Sequence, residues 1–397
     1  MKDTLRPIVD VTIGLLLAAA LVVVFWSDKP VASKETTPEL KTVETPEPDE
    51  APNVQPLKIA VTYCPRDRAE YDDIGKLLRK LGQGYEYTKI HLDDLADYDK
   101  LAQYDVVFAT CGTFTPAWLG EAIGKGVRPN TQTRERNQEM FDKAREALRK
   151  FVASGKTLYA SDQMFTLLSY VFDDHLSSAG VKVGDKQTVE ARITDPGLSD
   201  AIGQQLSIKF DLPDWYPAEF DSPDRTVYLQ GTYRAMDGET ETAPLLVKLP
   251  FEQGAMLFTS FHNEKQNSEK EELLLRYLVF ATVTAKEVNK VTKTMLAGGF
   301  SPQKSSLLSA SAGSPTVSQT YRNKKAGRLQ FVLGFEDRGA RLKLNVIGPD
   351  GRSHEKVGNS TFTVEIKDAP LAAWKYTVTA EKVPYENFPF TLTVGEE

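Results

Sequence analysis

KTLYASDQMFTLL, residues 156–168, decides the fold: a short apolar run ends at Ala160, turns at Ser161-Asp162, and continues at once with helical spacing. A strand that becomes a helix within two or three residues is the joint of an alternating α/β sheet. Similar runs stand upstream. Residues 57–64 (LKIAVTYC) precede residues 71–81, where Ile74, Leu77, Leu78 and Leu81 share one helical face. Residues 85–92 supply a second strand and 95–104 a short connection, and 105–111 (DVVFATC) are apolar throughout, as a strand buried on both faces must be. Residues 134–153 form the longest amphipathic segment, which Gly155 ends. These lengths predict an α/β fold, a flavodoxin-like and mostly parallel sheet with right-handed crossovers, over residues 57–290.

Ligands of such sheets lie beyond the carboxyl ends of the strands. The expected rim is therefore Arg66 and Asp67 after the first strand, Cys111, Gly112 and Thr113 after the third, and Ser161, Asp162 and Gln163 at the elbow. Cys64 and Cys111 end runs of equal length that a flavodoxin-like order makes neighbours, so a disulfide between them is permitted outside the cytoplasm. The alternative is two thiols packed as small apolar groups. Residues 186–261 are richer in strands, at 188–193, 226–234, 244–249 and 255–261. Then come His262-Asn263-Glu264 and a helix over 268–284, opened by a capping box of Ser268 and Glu271. The aromatic stretch 211–220 (DLPDWYPAEF) reads as an irregular segment pinning itself to the core, with an exposed recognition loop as the alternative.

Outside this unit, residues 8–26 (IVDVTIGLLLAAALVVVFW) carry one charge, Asp10. At ~1.5 Å per residue such a helix matches the ~30 Å hydrocarbon core of a bilayer. Lys2 and Arg6 precede it, which predicts a single-pass anchor with residues 1–7 cytoplasmic and the rest outside. A cleaved signal peptide fits less well, because the run is long and ends in Phe25-Trp26. Residues 27–56, rich in proline and acids, read as a solvated tether. Residues 291–320, rich in Ser, Gly and Ala, read as a second linker. Period-two alternation over 328–335, 341–347, 361–366, 374–380 and 389–394 then predicts a small antiparallel β-sandwich over 321–397. Its expected core is Leu329, Phe331, Leu342, Leu344, Val346, Phe362, Val364, Trp374, Tyr376, Val378, Phe390 and Leu392.

Composition narrows the function. Lys and Arg number 48 against 55 Asp and Glu, a net charge of −7, which lacks the basic footprint of a nucleic-acid binder. Two cysteines and four scattered histidines offer no metal-ligand spacing, and no phosphate loop implies a cofactor.

The elbow at 158–163 (LYASDQ) and the later Phe261-His262-Asn263-Glu264 before the last helix resemble the class I glutamine amidotransferase-like superfamily, including its ThuA-like branch. In the amidotransferases the elbow carries a nucleophilic cysteine and the last strand ends Phe-His-Pro-Glu. The resemblance implies that His262 and Glu264 fill the His and Glu positions, with Asn263 in place of proline, while the elbow offers Ser161 or Asp162 and no thiol. A hydrolase on this plan would use Ser161 as nucleophile, His262 as base and Glu264 as orienter. The pattern Ala369-Pro370 followed by 373–378 (AWKYTV) resembles the closing strands of immunoglobulin-like and pre-peptidase C-terminal-like domains. The resulting expectation is an envelope binding or scaffolding protein, degenerate in its nucleophile, with a protein or small-ligand partner. The rival is a membrane-bound hydrolase of an amide, ester or sugar derivative.

Overall fold

The computed structural model describes residues 57–63, 72, 74–110, 114, 131–176, 180–266, 268–314, 316–336 and 338–397. The predicted anchor and tether, and Cys64, Arg66, Asp67, Cys111, Gly112 and Thr113, lie outside the described residues. Among the described residues no helix is long and apolar enough to cross a membrane.

The first half runs β1 (Ile59–Tyr63), α1 (Ile74–Leu81), β2 (Tyr87–His91), α2 (Tyr98–Leu101), β3 (Val106–Ala109), α3 (Thr131–Ala153), β4 (Thr157–Ser161) and α4 (Phe165–Val171). Then follow β5 (Gln187–Ile193), α5 (Pro196–Ile202), β6 (Gln205–Phe210), β7 (Thr226–Arg234), β8 (Thr240–Phe251), β9 (Gly254–Thr259), α6 (Glu269–Val283) and α7 (Ala285–Ala297). All nine strands join one sheet in the order β2-β1-β3-β4-β9-β8-β7-β5-β6. The first five pair in parallel, and β8, β7, β5 and β6 extend them antiparallel, so the strand-rich stretch widens the sheet. Alternate residues of the parallel strands feed two cores. Val61, Phe108, Tyr159 and Leu257 face α1 and α6, while Ala60, Val107, Leu158 and Phe258 face α3 and α4. The capping box forms as read, with Ser268 Oγ accepting from the Glu271 amide and the Glu271 carboxylate from the Ser268 amide.

The remaining strands are β10 (Ser301–Ala310), β11 (Thr316–Arg322), β12 (Gly327–Gly334), β13 (Arg341–Ile347), β14 (Ser353–Gly358), β15 (Phe362–Ala369), β16 (Ala373–Lys382) and β17 (Phe388–Glu396). They make two four-stranded sheets, β10-β17-β12-β15 and β11-β16-β13-β14. All twelve residues expected in the sandwich core are buried.

The expected linker at 291–320 is a correction. It comprises the end of α7 and strands β10 and β11, so the sandwich begins near residue 301 and not at 321. Ser306 and Ala310 of β10 are buried, and Ser305 and Ser306 hydrogen-bond Thr393 and Gln319 (3.0 and 3.2 Å). Ser and Ala mark a linker only when no sheet edge is available to pair with them. Residues 52–397 are also one compact unit, and a single buried cluster takes in Ile59 and Tyr159 of the large sheet with Leu329 and Tyr376 of the sandwich.

Asn387 is the polar rivet of that seam, in the left-handed region at φ 54°. Its side chain donates to the Leu81 carbonyl (2.9 Å) and accepts from Arg276 (2.9 Å), and its carbonyl accepts from Tyr85 (2.8 Å). Beside it Gly84, at φ 95°, lies so close to Tyr385 that a Cβ would fall 2.3 Å from the ring. Replacing Asn387→Ala removes two side-chain hydrogen bonds and puts alanine in a left-handed region that asparagine adopts more readily, an expected cost of about 2–4 kcal/mol. Denaturant unfolding checks this, and a loss below about 0.5 kcal/mol would show that the seam is held by apolar packing alone.

Candidate functional site at the sheet rim

Ser161 pairs with Thr259 in the β4–β9 ladder, so the two chains leave the sheet side by side, one into Asp162 and the other into Ser260, Phe261 and His262. Residues 100 positions apart thus meet because two strands are parallel neighbours. A short 3₁₀ turn, Asp162–Met164, makes the elbow, and Asp162 takes φ 46° there. A residue with a β-carbon is uncommon in that region, aspartate being among the better tolerated.

His262 Nε2 lies 2.9 Å from Asp162 Oδ2, and Nδ1 lies 2.9 Å from Asp211 Oδ1. Facing a carboxylate on each side, the ring makes both contacts as a donor only as an imidazolium. Beneath it is Asp72, from the connection between β1 and α1. One of its oxygens accepts from Ser161 Oγ (2.5 Å) and the other from the Asn263 backbone and side-chain amides (2.9 Å each). Asn263 Nδ2 also donates to Tyr159 Oη (2.8 Å), which contacts Thr259 Oγ1 (2.7 Å). Gln266 donates to the His262 carbonyl (3.0 Å) and bonds Lys209 on β6, tying the turn after β9 to the sheet's far edge.

The cluster is closed. Ser161 is wholly buried, and His262 and Asp162 are 3% and 5% exposed. Residues 211–220 lie against the elbow. Gln163 Nε2 donates to the Asp214 carbonyl (2.6 Å), Tyr216 stacks on Phe165 (4.9 Å), and Trp215 is buried against Phe210 (3.8 Å). The segment pins itself to the core, and in doing so delivers Asp211 to His262.

Of the residues expected at the rim, Ser161, Asp162, Gln163, His262 and Asn263 come together. Glu264 belongs to the turn Asn263–Lys265, and its side chain lies outside the described residues. The roles differ from those the resemblance implies. The strained elbow residue in contact with His262 is Asp162, while Ser161 donates its hydrogen bond to Asp72, and the carboxylate on Nδ1 is Asp211. Asp72, Asp211, Tyr159 and Thr259 were not anticipated. Asp211 opens the DLPDWYPAEF stretch directly after a strand, which was a usable signal masked by its aromatics. Asp72 gave no signal beyond an acid shortly before a helix.

Burial holds the Asp72 carboxyl above the ordinary aspartate value, against the opposing effect of the Ser161 hydroxyl, the His262 charge and the Asn263 amides. A carboxyl raised on folding contributes stability that is complete below its unfolded value and is lost as pH rises through the folded one. Asp72→Ala is therefore expected to cost about 2–4 kcal/mol by stranding buried donors. That deficit should be largest near pH 4 and shrink toward neutrality, as measured by urea unfolding at a series of pH values. A deficit that grows with pH would contradict the assignment.

No family model matches the chain, and no curated protein matches it. Among solved structures it is similar to a cytoplasmic protein of Salmonella typhimurium, at 13% identity over 56% of this chain and 98% of that one, with a TM-score of 0.35. It is also similar to a glutamine amidotransferase of Thermotoga maritima, at 12% identity over 62% and 94% with a TM-score of 0.32. A β-galactosidase of Bacillus circulans sp. alkalophilus is similar at 13% identity over 81% of this chain and 41% of its own, with a TM-score of 0.35.

Proposed function

We propose that this chain is a membrane-anchored, extracytoplasmic binding or scaffolding protein whose α/β half is an amidotransferase-like domain without the nucleophile. The anchor is the apolar run 8–26, and the partner is a protein or small ligand of the envelope. One observation carries the reading: the elbow position is occupied by Asp162, ion-paired to a His262 that is itself 3% exposed. A base whose two nitrogens are both engaged by the protein's own carboxylates has no lone pair to offer a substrate. A buried pair of this kind fixes geometry, and breaking it costs about 3–5 kcal/mol.

A second reading, a hydrolase acting through Asp162 or Ser161 with His262, draws on a different observation. Left-handed backbone at a strand-to-helix elbow is the place where nucleophiles are displayed, and Asp162 is there within hydrogen-bond reach of an imidazole.

The two readings separate in the full-length chain in native membranes. Photo-crosslinkers at Gln163, on the rim, and at Lys375, on the sandwich, are expected to give a discrete adduct, and the one from Lys375 is retained in His262→Gln. Turnover of amide, ester or glycoside substrates that disappears in His262→Gln, with no adduct from either position, would overturn the scaffold reading in favour of the hydrolase. Deleting residues 8–26 is expected to release the protein from the membrane fraction.

A further inference from the structure

A hollow of about 490 Å³ opens on the side of the sheet that carries the α3 and α4 core, floored by Val227 and Pro244 of β7 and β8. Its lining shares no residue with the His262 cluster. Glu219 and Asp221 enter it from the end of the 211–220 segment, and Arg225 enters from the turn leading into β7. All three are exposed. Among the described residues, neither carboxylate has a basic ion-pair partner and Arg225 has no acidic one; its guanidinium donates to the Phe220 carbonyl. Charges of both signs therefore share one hollow without neutralising each other.

That arrangement selects by chemistry. A simple anion drawn to Arg225 meets two carboxylates, and a simple cation drawn to the carboxylates meets the guanidinium. A small body carrying both charges satisfies all three groups. A guanidinium is the side chain whose paired donors best match a carboxylate, and an ammonium carries three donors for carboxylate oxygens. The volume lies within the ~300–1,000 Å³ usual for small-molecule sites. We propose that this hollow binds a small zwitterion, a free α-amino acid or a short peptide, with its carboxylate on Arg225 and its ammonium between Glu219 and Asp221. The site is distinct from the rim, and the inference does not rest on the scaffold reading.

The test is isothermal titration of the full-length chain with L-alanine, L-leucine and L-alanyl-L-alanine, and with N-acetyl-L-alanine methylamide, which has the same body and neither charge. At least one zwitterion is expected to bind at concentrations up to about 10 mM, with the blocked compound binding at least about tenfold more weakly. Binding by the single amino acids alone identifies a free amino acid as the ligand class, and binding by the dipeptide alone identifies a short peptide. Glu219→Gln and Arg225→Gln are each expected to weaken binding at least about tenfold. Arg225→Gln also loses the bond to the Phe220 carbonyl, so Glu219→Gln, at an exposed side chain, is the arm that folding does not confound. No binding by any of the three zwitterions, equal binding of the blocked compound, or unchanged affinity in Glu219→Gln overturns the proposal.

Discussion

A single imidazole, His262, clamped between Asp162 and Asp211 at 2.9 Å on either side, is the contact on which the upper end of this molecule depends. Asp162 belongs to the elbow after β4, His262 to the end of β9, and Asp211 to the segment after β6. One ring therefore ties two central strands to a strand at the far edge of the sheet. Asp72 adds the connection after β1 through Ser161 and Asn263. Charges buried in this way stabilise little when compared with apolar packing, but removing one partner leaves the others uncompensated, so the set behaves as a unit. Its closure explains why the segment 211–220 takes a single path across the rim: Trp215 fixes it in one core and Phe220 in the other, with Asp211 locked to the ring between β6 and Trp215.

The same constraint links fold to function. In an open α/β sheet the carboxyl ends of the strands are where backbone groups and side chains converge on empty space. Here, among the described residues, that convergence is filled by the protein's own Asp162, His262 and Asp211. Energy goes into holding the rim together, and Asp162 keeps a left-handed backbone within a network that restrains it on both sides. That organisation is what supports the proposed recognition role over turnover. Glu219, Asp221 and Arg225, which are in no ion pair among the described residues, lie around the hollow beside β7.

Much of this was legible in the residues, and the reasons for the rest are physical. Continuous apolar runs such as VVFA and TLYA read as strands covered on both faces, so the parallel strands followed directly, and with them the elbow at Ser161 and Asp162. The sandwich core followed from strict alternation. The strands at Ser301–Ala310 and Thr316–Arg322 were hidden because each covers an edge with Ser and Thr whose partners lie about 50–95 residues away in sequence. Local composition cannot report a distant ladder. His262 and Asp162 were singled out by position in the fold, whereas Asp72 and Asp211 gained their roles from the packing of loops: Asp211 at least stands directly after a strand, but nothing in the immediate neighbours of Asp72 separates it from a surface aspartate.

The central claim, that His262 is a closed ionic joint, is tested most directly by nuclear magnetic resonance of the histidine ring N–H groups in the full-length chain labelled with nitrogen-15. The account predicts one histidine with both ring protons visible and slow to exchange with water, and the Nδ1 proton lost from view when Asp211 is changed to Asn. A His262 ring whose protons exchange as fast as those of half-exposed His175 and His354, or which shows only one ring proton unaffected by Asp211→Asn, would contradict it.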